Sequence, residues 1–295
     1  MKTAMVCALG AALTGALTLR ADVTYTETVH YKGGTMIDMA KSMANNPMTA
    51  RMGQAFEDQS YTIYIKGNKM ARVGKNTTTI TDLDAGSITN INHSRKTYTV
   101  ITFDQLKQMS ERMQQFAGGR GGMDFDIKVK KTGKTKEING QTATETIITA
   151  TEKGGGPTKF KSDVWIAPSA AGADELRAFH MKVAQQSEAA LGAGPMMGGA
   201  GRAMAAASRE ALQIGGVPVE VDTQISGVSA GPMGGGGDAD PDAVAIDSVS
   251  ISSNWSSAPV DDSLFAIPTD YKKQERQFGP RGPGGRAHGG EAPPQ

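Results

Sequence analysis

Five residues at 227–231, GVSAG, fit the G-x-S-x-G pattern that exposes a nucleophilic serine. That elbow works only where a strand ends, a sharp turn lifts the serine oxygen beside backbone donors, and a helix begins. Here Gly-Pro-Met-Gly-Gly-Gly-Gly follows, which cannot start a helix, and the only later histidine is His288, close to the C-terminus. In a chain with 37 glycines the match carries no catalytic assignment. The acidic run Asp238-Ala239-Asp240-Pro241-Asp242 begins like a calcium loop. It lacks the glycine at position six and the glutamate at position twelve, where Ala243 and Val249 stand. His30, His93, His180 and His288 show no paired spacing, and zinc needs several converging ligands, so no metal site or cofactor is read from them.

Methionine is more informative. Met36, Met39, Met43, Met48 and Met52 recur at steps of three to five residues. Three readings are open. Thioethers favour Cu(I), which makes copper handling one of them. Flexible methionines also make adaptable apolar surfaces, and they serve as ordinary gap-filling core.

The chain begins with Lys2 and an apolar run from Ala4 to about Leu19, ending at Arg20-Ala21-Asp22. A basic start, a short apolar stretch and a small-residue exit describe an export signal, with cleavage expected after Ala21 and a cut after Ala16, preceded by Thr14, as the alternative. The run is shorter than the roughly 20 apolar residues of a membrane span. Removing residues 1–21 takes Lys2, Arg20 and the single cysteine, Cys7, leaving 29 basic against 30 acidic residues. Near-neutral charge argues against nucleic acid as a partner. A periplasmic or secreted protein is expected, with nothing later in the chain apolar enough to cross a bilayer.

The elements that would position any site are mostly strands. Residues 24–31 (TYTETVHY) alternate and are β-branched or aromatic. Segments 61–66 and 70–73 join through Gly67-Asn68, and 77–83 and 87–91 through Asp84-Ala85-Gly86; 97–103 follows. Glycine and asparagine supply the positive φ angles of tight hairpins, so this is an antiparallel meander. Residues 103–117 (FDQLKQMSERMQQFA) place Phe103, Leu106, Met109, Met113 and Phe116 at helical spacing, stopped by Gly118-Gly119. Strands are expected at 126–130, 142–151 and 159–166, with 131–140 (KTGKTKEING) as a turn. Helices follow at 173–190 and 202–213, then strands at 217–225 and 243–252. The fold class is α+β, mainly antiparallel. One domain is expected over 22–273, with glycine-rich insertions near 192–201 and 231–241 and a Gly/Pro/Arg tail at 274–295, disordered by composition.

Several segments carry a family resemblance: KTGKTKEINGQTATETIIT, KFKSDVWIAP, GGVPVEVDTQI and APVDDSLFAIPTDYKK. Together they resemble an exported bacterial family known only as a domain of unknown function, similar in plan to the LolA-like periplasmic lipoprotein carriers. The most specific part is 260–271, where a last strand would deliver Leu264 and Phe265 before Pro268 and Tyr271. The resemblance implies a strongly curved antiparallel sheet, a half-barrel, with helices across its concave face. In LolA-like proteins the space between sheet and helices receives acyl chains. It brings no catalytic residue, so a non-enzymatic protein is expected, binding a lipid or lipoprotein acyl chain. The candidate ligand-binding residues are Met36, Met39, Met43, Phe103, Leu106, Met109, Met113 and Phe116. The alternatives are an envelope structural or interaction module with a filled core, and methionine-based copper binding. The mature protein, recovered after export, should begin at Asp22 by N-terminal mass spectrometry; an intact N-terminus there would overturn the signal reading.

Overall fold

Alternation of apolar and polar residues along successive strands fixes how this chain folds, because strand side chains point to opposite faces with a period of two. The computed structural model describes residues 22–43, 56–116, 125–186, 198–227 and 242–275. It contains one large curved, unclosed sheet of 12 strands, with four helices packed on it.

The N-terminal half is a meander of β1 (Val23–Gly33), β2 (Gln59–Lys66), β3 (Lys69–Val73), β4 (Thr77–Asp82), β5 (Ser87–Asn92) and β6 (Thr97–Thr102). The C-terminal half runs through β7 (Phe125–Ile138), β8 (Gln141–Glu152), β9 (Lys159–Ala167), β10 (Val217–Ser226) and β11 (Val244–Ser256). The two halves meet where β1 pairs antiparallel with β11. A two-residue strand, β12 (Lys272–Lys273), adds parallel to the β6 edge.

The helices are α1 (Thr35–Met43), α2 (Phe103–Phe116), α3 (Ala173–Gln186) and α4 (Gly198–Ile214). A reciprocal cap starts α2: the Gln105 backbone N–H donates to Thr102 Oγ1, and the Thr102 N–H donates to Gln105 Oε1. This satisfies two otherwise orphaned groups at the strand-to-helix junction. Leu176, Phe179 and Val183 form the buried stripe of α3.

Side-chain register places two apolar clusters on one sheet face. The first gathers Val23, Tyr25, Ile63 and Ile65 with Phe103 of α2 and Leu176, Phe179 and Val183 of α3. The second gathers Ile148, Phe160, Val164, Ile225 and Ile246 with Ile37 of α1 and Ala207 of α4. On the opposite face, Ala71, Ile80 and Ile91 are covered by Phe265, Ile267 and Tyr271 of the C-terminal segment. His93 secures that cover, since its ring nitrogens lie 2.8 Å from Thr78 Oγ1 and 3.0 Å from the Tyr271 hydroxyl. The residue just before β1 is tied to the segment after β11, because the Val260 N–H donates to Asp22 Oδ2 at 2.7 Å.

Three local expectations change. Residues 131–140 are not a turn: β7 continues to Ile138, and only Asn139-Gly140, both at positive φ, turn the chain. The strand absorbs a register shift between Lys131 and Thr135, where Gly133 takes φ +76°. Thr132 and Lys134 both engage Glu145 across that bulge, at 2.6 Å and 3.3 Å, which holds the irregular stretch in the sheet. Second, Leu264 and Phe265 sit in a 3-10 turn (Asp262–Phe265) and not in a strand, because Asp261 caps the Ser263 N–H and starts a turn. Third, α4 begins at Gly198, inside the stretch expected as an insertion, and Gln274 still belongs to the fold through its N–H to Tyr98 O. The remaining insertion residues and the tail beyond 275 lie outside the described residues.

Phe179 is 1% exposed at the centre of the first cluster. Truncation of a buried phenylalanine to alanine removes its transfer energy and leaves a cavity. Phe179→Ala should cost about 3–5 kcal/mol, read as a lower urea midpoint with an unchanged slope.

Candidate functional site

Between the two apolar clusters, on the same face, the sheet carries a polar patch with Glu27 at its centre. Strand β1 alternates Val23, Tyr25, Glu27, Val29 and Tyr31 toward the helices, so the glutamate is placed there by the same period that buries its neighbours. Glu27 Oε2 accepts from Arg72 Nε at 3.1 Å and Nη2 at 2.9 Å, while Oε1 accepts from Ser250 Oγ at 3.1 Å. One carboxylate thereby joins β3, β1 and β11. The Arg72 guanidinium also lies 3.4 Å from the centre of the Tyr61 ring.

Aromatic rings flank this patch. Tyr25 stacks on Trp255 with centroids 4.2 Å apart and planes 14° from parallel. Tyr31 meets Phe56 edge-on at 5.3 Å. Burial raises the Tyr25 hydroxyl pKa above its ordinary value, and Glu27 adds to the rise while Arg72 opposes it. Tyr31 is raised for the same leading reason. The indole Nε1 of Trp255 is buried and has no hydrogen-bond partner among the described residues. A buried donor left unpaired costs on the order of 1–3 kcal/mol, so its presence beside an apolar cluster marks a place where an acceptor oxygen would be gained.

His180 faces this region from α3. Desolvation pushes its imidazole pKa down to about 4, against a weaker opposing pull from Glu27. The ring is therefore neutral at pH 7 and presents one donor and one acceptor nitrogen.

The residues singled out in the sequence divide among several places. Phe103, 8% exposed, and Leu106 join the first cluster, together with Tyr25 and Trp255. Met36 packs against the second cluster. Met39 and Met43 are half-buried on α1, which packs on β1 and β11. Met109 is half-buried on α2, which packs on β6. The methionines of α1 and the α2 set therefore do not share one cluster. Met113 and Phe116 belong to α2, but their side chains lie outside the described residues, as do Met48, Met52 and most of the GVSAG motif. Among the described residues, no three His, Cys, Asp or Glu side chains converge as a metal site.

The central residues, Glu27, Arg72, His180 and Trp255, have no motif to announce them. The other three are 45 to 228 positions from Glu27 in sequence, and only the β1–β11, β1–β2 and β2–β3 pairings, with α3 packed on the sheet, bring them together. The alternation of 24–31 could have put Tyr25 and Glu27 on one face, but not their partners.

The class defined by this geometry is an open, curved α+β sheet protein with helices on one face and an aromatic, charge-paired patch beneath them. No protein-family model matches the chain, and no curated protein matches it. Among the described residues no helix is long and apolar enough to cross a membrane.

The His180 shift has a direct consequence for stability. Its folded pKa lies below the unfolded value near 6.5, so the unfolded state binds more protons between those values. The stability tied to a neutral His180 is complete above pH 6.5 and is lost as pH falls toward 4. Denaturation across this window should show His180→Gln with a flatter decline than the parent chain.

Proposed function

We propose that this protein is an exported, non-catalytic binding module for an amphipathic ligand, a lipid or lipoprotein acyl chain, held between the sheet and its helices. The observation that carries this reading is the unpaired, buried Trp255 N–H, set against Tyr25 at the margin of the apolar cluster that contains Phe103 and Leu106. A fatty acyl group offers an apolar chain for that cluster and a carboxylate or ester oxygen for the indole. The unclosed sheet and the four helices on its face are compatible with the LolA-like plan that the sequence resembles. Met109, half-buried on α2, would meet the chain's far end. No redox or metal step enters this reading.

Delipidated protein should take up a fluorescent fatty acid saturably, with a change in Trp255 emission. Trp255→Phe removes one hydrogen bond and keeps the ring, so affinity should fall by about two- to tenfold. Met109→Asp should weaken uptake as well. No saturable uptake would sink the carrier reading.

A second reading, an envelope structural or interaction module with a filled core, is favoured by one observation: Phe179 and Val183 pack closely onto Val23 and Ile65 beneath α3. Native mass spectrometry of protein purified from its own source separates the two, since a carrier brings a bound mass with it.

A further inference from the structure

On the part of the helix-bearing face formed by β4, β5 and β6, the register sets two rows of small polar side chains side by side. Thr77, Asn92 and Thr97 form one row, and Thr79, Asn90 and Thr99 form the next. They line a depression of about 280 Å³, bounded by the 93–96 turn and by Gln274. This lies just below the range of small-molecule sites, roughly 300–1,000 Å³, and suits a short polar ligand.

The amide groups are oriented in advance. Asn90 Oδ1 accepts from Thr79 Oγ1 at 3.1 Å, and Asn92 Oδ1 accepts from the Arg95 backbone N–H at 2.9 Å. With both carbonyl oxygens accepting, the NH2 group of each Asn is the donor left to a ligand. Threonine χ1 is stiff because of its branched Cβ, and the strands fix its position, so the four hydroxyls form a rigid set. The γ-methyl groups between them give small apolar contacts. Arg95 is the single charged side chain lining the depression, and it has no anionic partner among the described residues.

An ordinary solvated face in this molecule is built differently. The opposite face of the C-terminal half carries Lys32 with Asp222 and Asp247, and Lys161 with Asp163. Those charged pairs keep that sheet surface hydrated. The β4–β6 rows are neutral except at Arg95, and recessed. Their donors are too weakly charged for nucleic acid, which requires repeated phosphate neutralisation. Beside the depression the β6 edge is already paired, because β12 occupies it at Thr97 and Tyr98.

We propose that this depression is a saccharide site, selective for a uronic-acid sugar: the Thr and Asn rows take its hydroxyl and ring oxygens, and Arg95 takes its carboxylate. The site is separate from the aromatic patch under α3, and its test is independent of the acyl-chain reading.

The full chain, labelled with nitrogen-15, is titrated with trigalacturonate and, in parallel, with the same trisaccharide as its methyl ester. Trigalacturonate should shift the side-chain amide signals of Asn90 and Asn92 saturably, and the ester should bind at the same signals more weakly. The Thr97→Val/Thr99→Val double variant preserves shape and strand preference and should lower affinity about tenfold. Arg95→Gln should bring acid and ester to equal affinity. The proposal is overturned if neither probe shifts the Asn90 and Asn92 signals, if the shifts map elsewhere, or if the folded double variant binds like the parent. Acid and ester of equal affinity in the parent chain would overturn the uronate selectivity.

Discussion

The antiparallel pairing of β1 with β11 joins two meanders that would otherwise each end in an open edge, and it does so across more than 200 residues of sequence. Each meander is local, with hairpins that close through a few residues. Neither buries a full face alone. Only when β1 and β11 meet does one continuous face exist for four helices to cover. Such a long-range pairing is slow to form, because loop closure must precede the contacts that reward it. The register across this seam is strongly specified. A slip of one residue would turn Tyr25, Glu27 and Val29 away from the helices and put Thr26, Thr28 and His30 in their place.

Glu27 makes that specification sharper than apolar packing could. Its carboxylate is shared between Arg72 of the N-terminal meander and Ser250 of β11, so correct register satisfies three polar groups together. Both charged side chains are only partly exposed, about 26% for Glu27 and 36% for Arg72. Loss of either partner would leave a charge in a drier place than water, which is costlier than the pair's own net contribution. The apolar clusters on either side can then differ in composition: one is built on α2 and α3, the other on α1 and α4.

Much of this architecture is legible in the sequence, and the reasons are local. Gly67-Asn68 and Asp84-Ala85-Gly86 turn the chain at the expected places, and the spacing of Phe103, Leu106 and Met109 marks α2. The KTGKTK stretch misleads because its lysines and glycine have turn composition. Edge strands also carry lysine to discourage pairing with other chains, and β7 is an edge strand. Its glycine serves a bulge, and Glu145 on the neighbouring strand holds that bulge in place. The 262–265 turn misleads in the reverse sense, since Leu264 and Phe265 look like strand residues until Asp261 is seen capping Ser263. The candidate site is hardly legible at all. Its members are single residues of common types, made neighbours by non-local pairing.

One row of side chains runs from the core to the sheet's uncovered corner: Tyr25, Ile63, Arg72, Thr79, Asn90 and Thr99, each opposite the next on adjacent strands. At roughly 4.8 Å per strand it spans about 24 Å. Its polarity rises along the way in step with the loss of helix cover. Tyr25 and Ile63 lie in the α3 cluster; Arg72 turns back toward Glu27; Thr79, Asn90 and Thr99 meet the open depression. A buried threonine or asparagine needs a partner for every polar atom, whereas one at an uncovered position can leave its donors to the outside. Asn90 and Asn92 satisfy their carbonyls internally, which leaves their amide donors for a ligand. A strand surface that only had to stay hydrated would have no use for that arrangement, and the ion-paired strands of the other half show how this chain builds one that does.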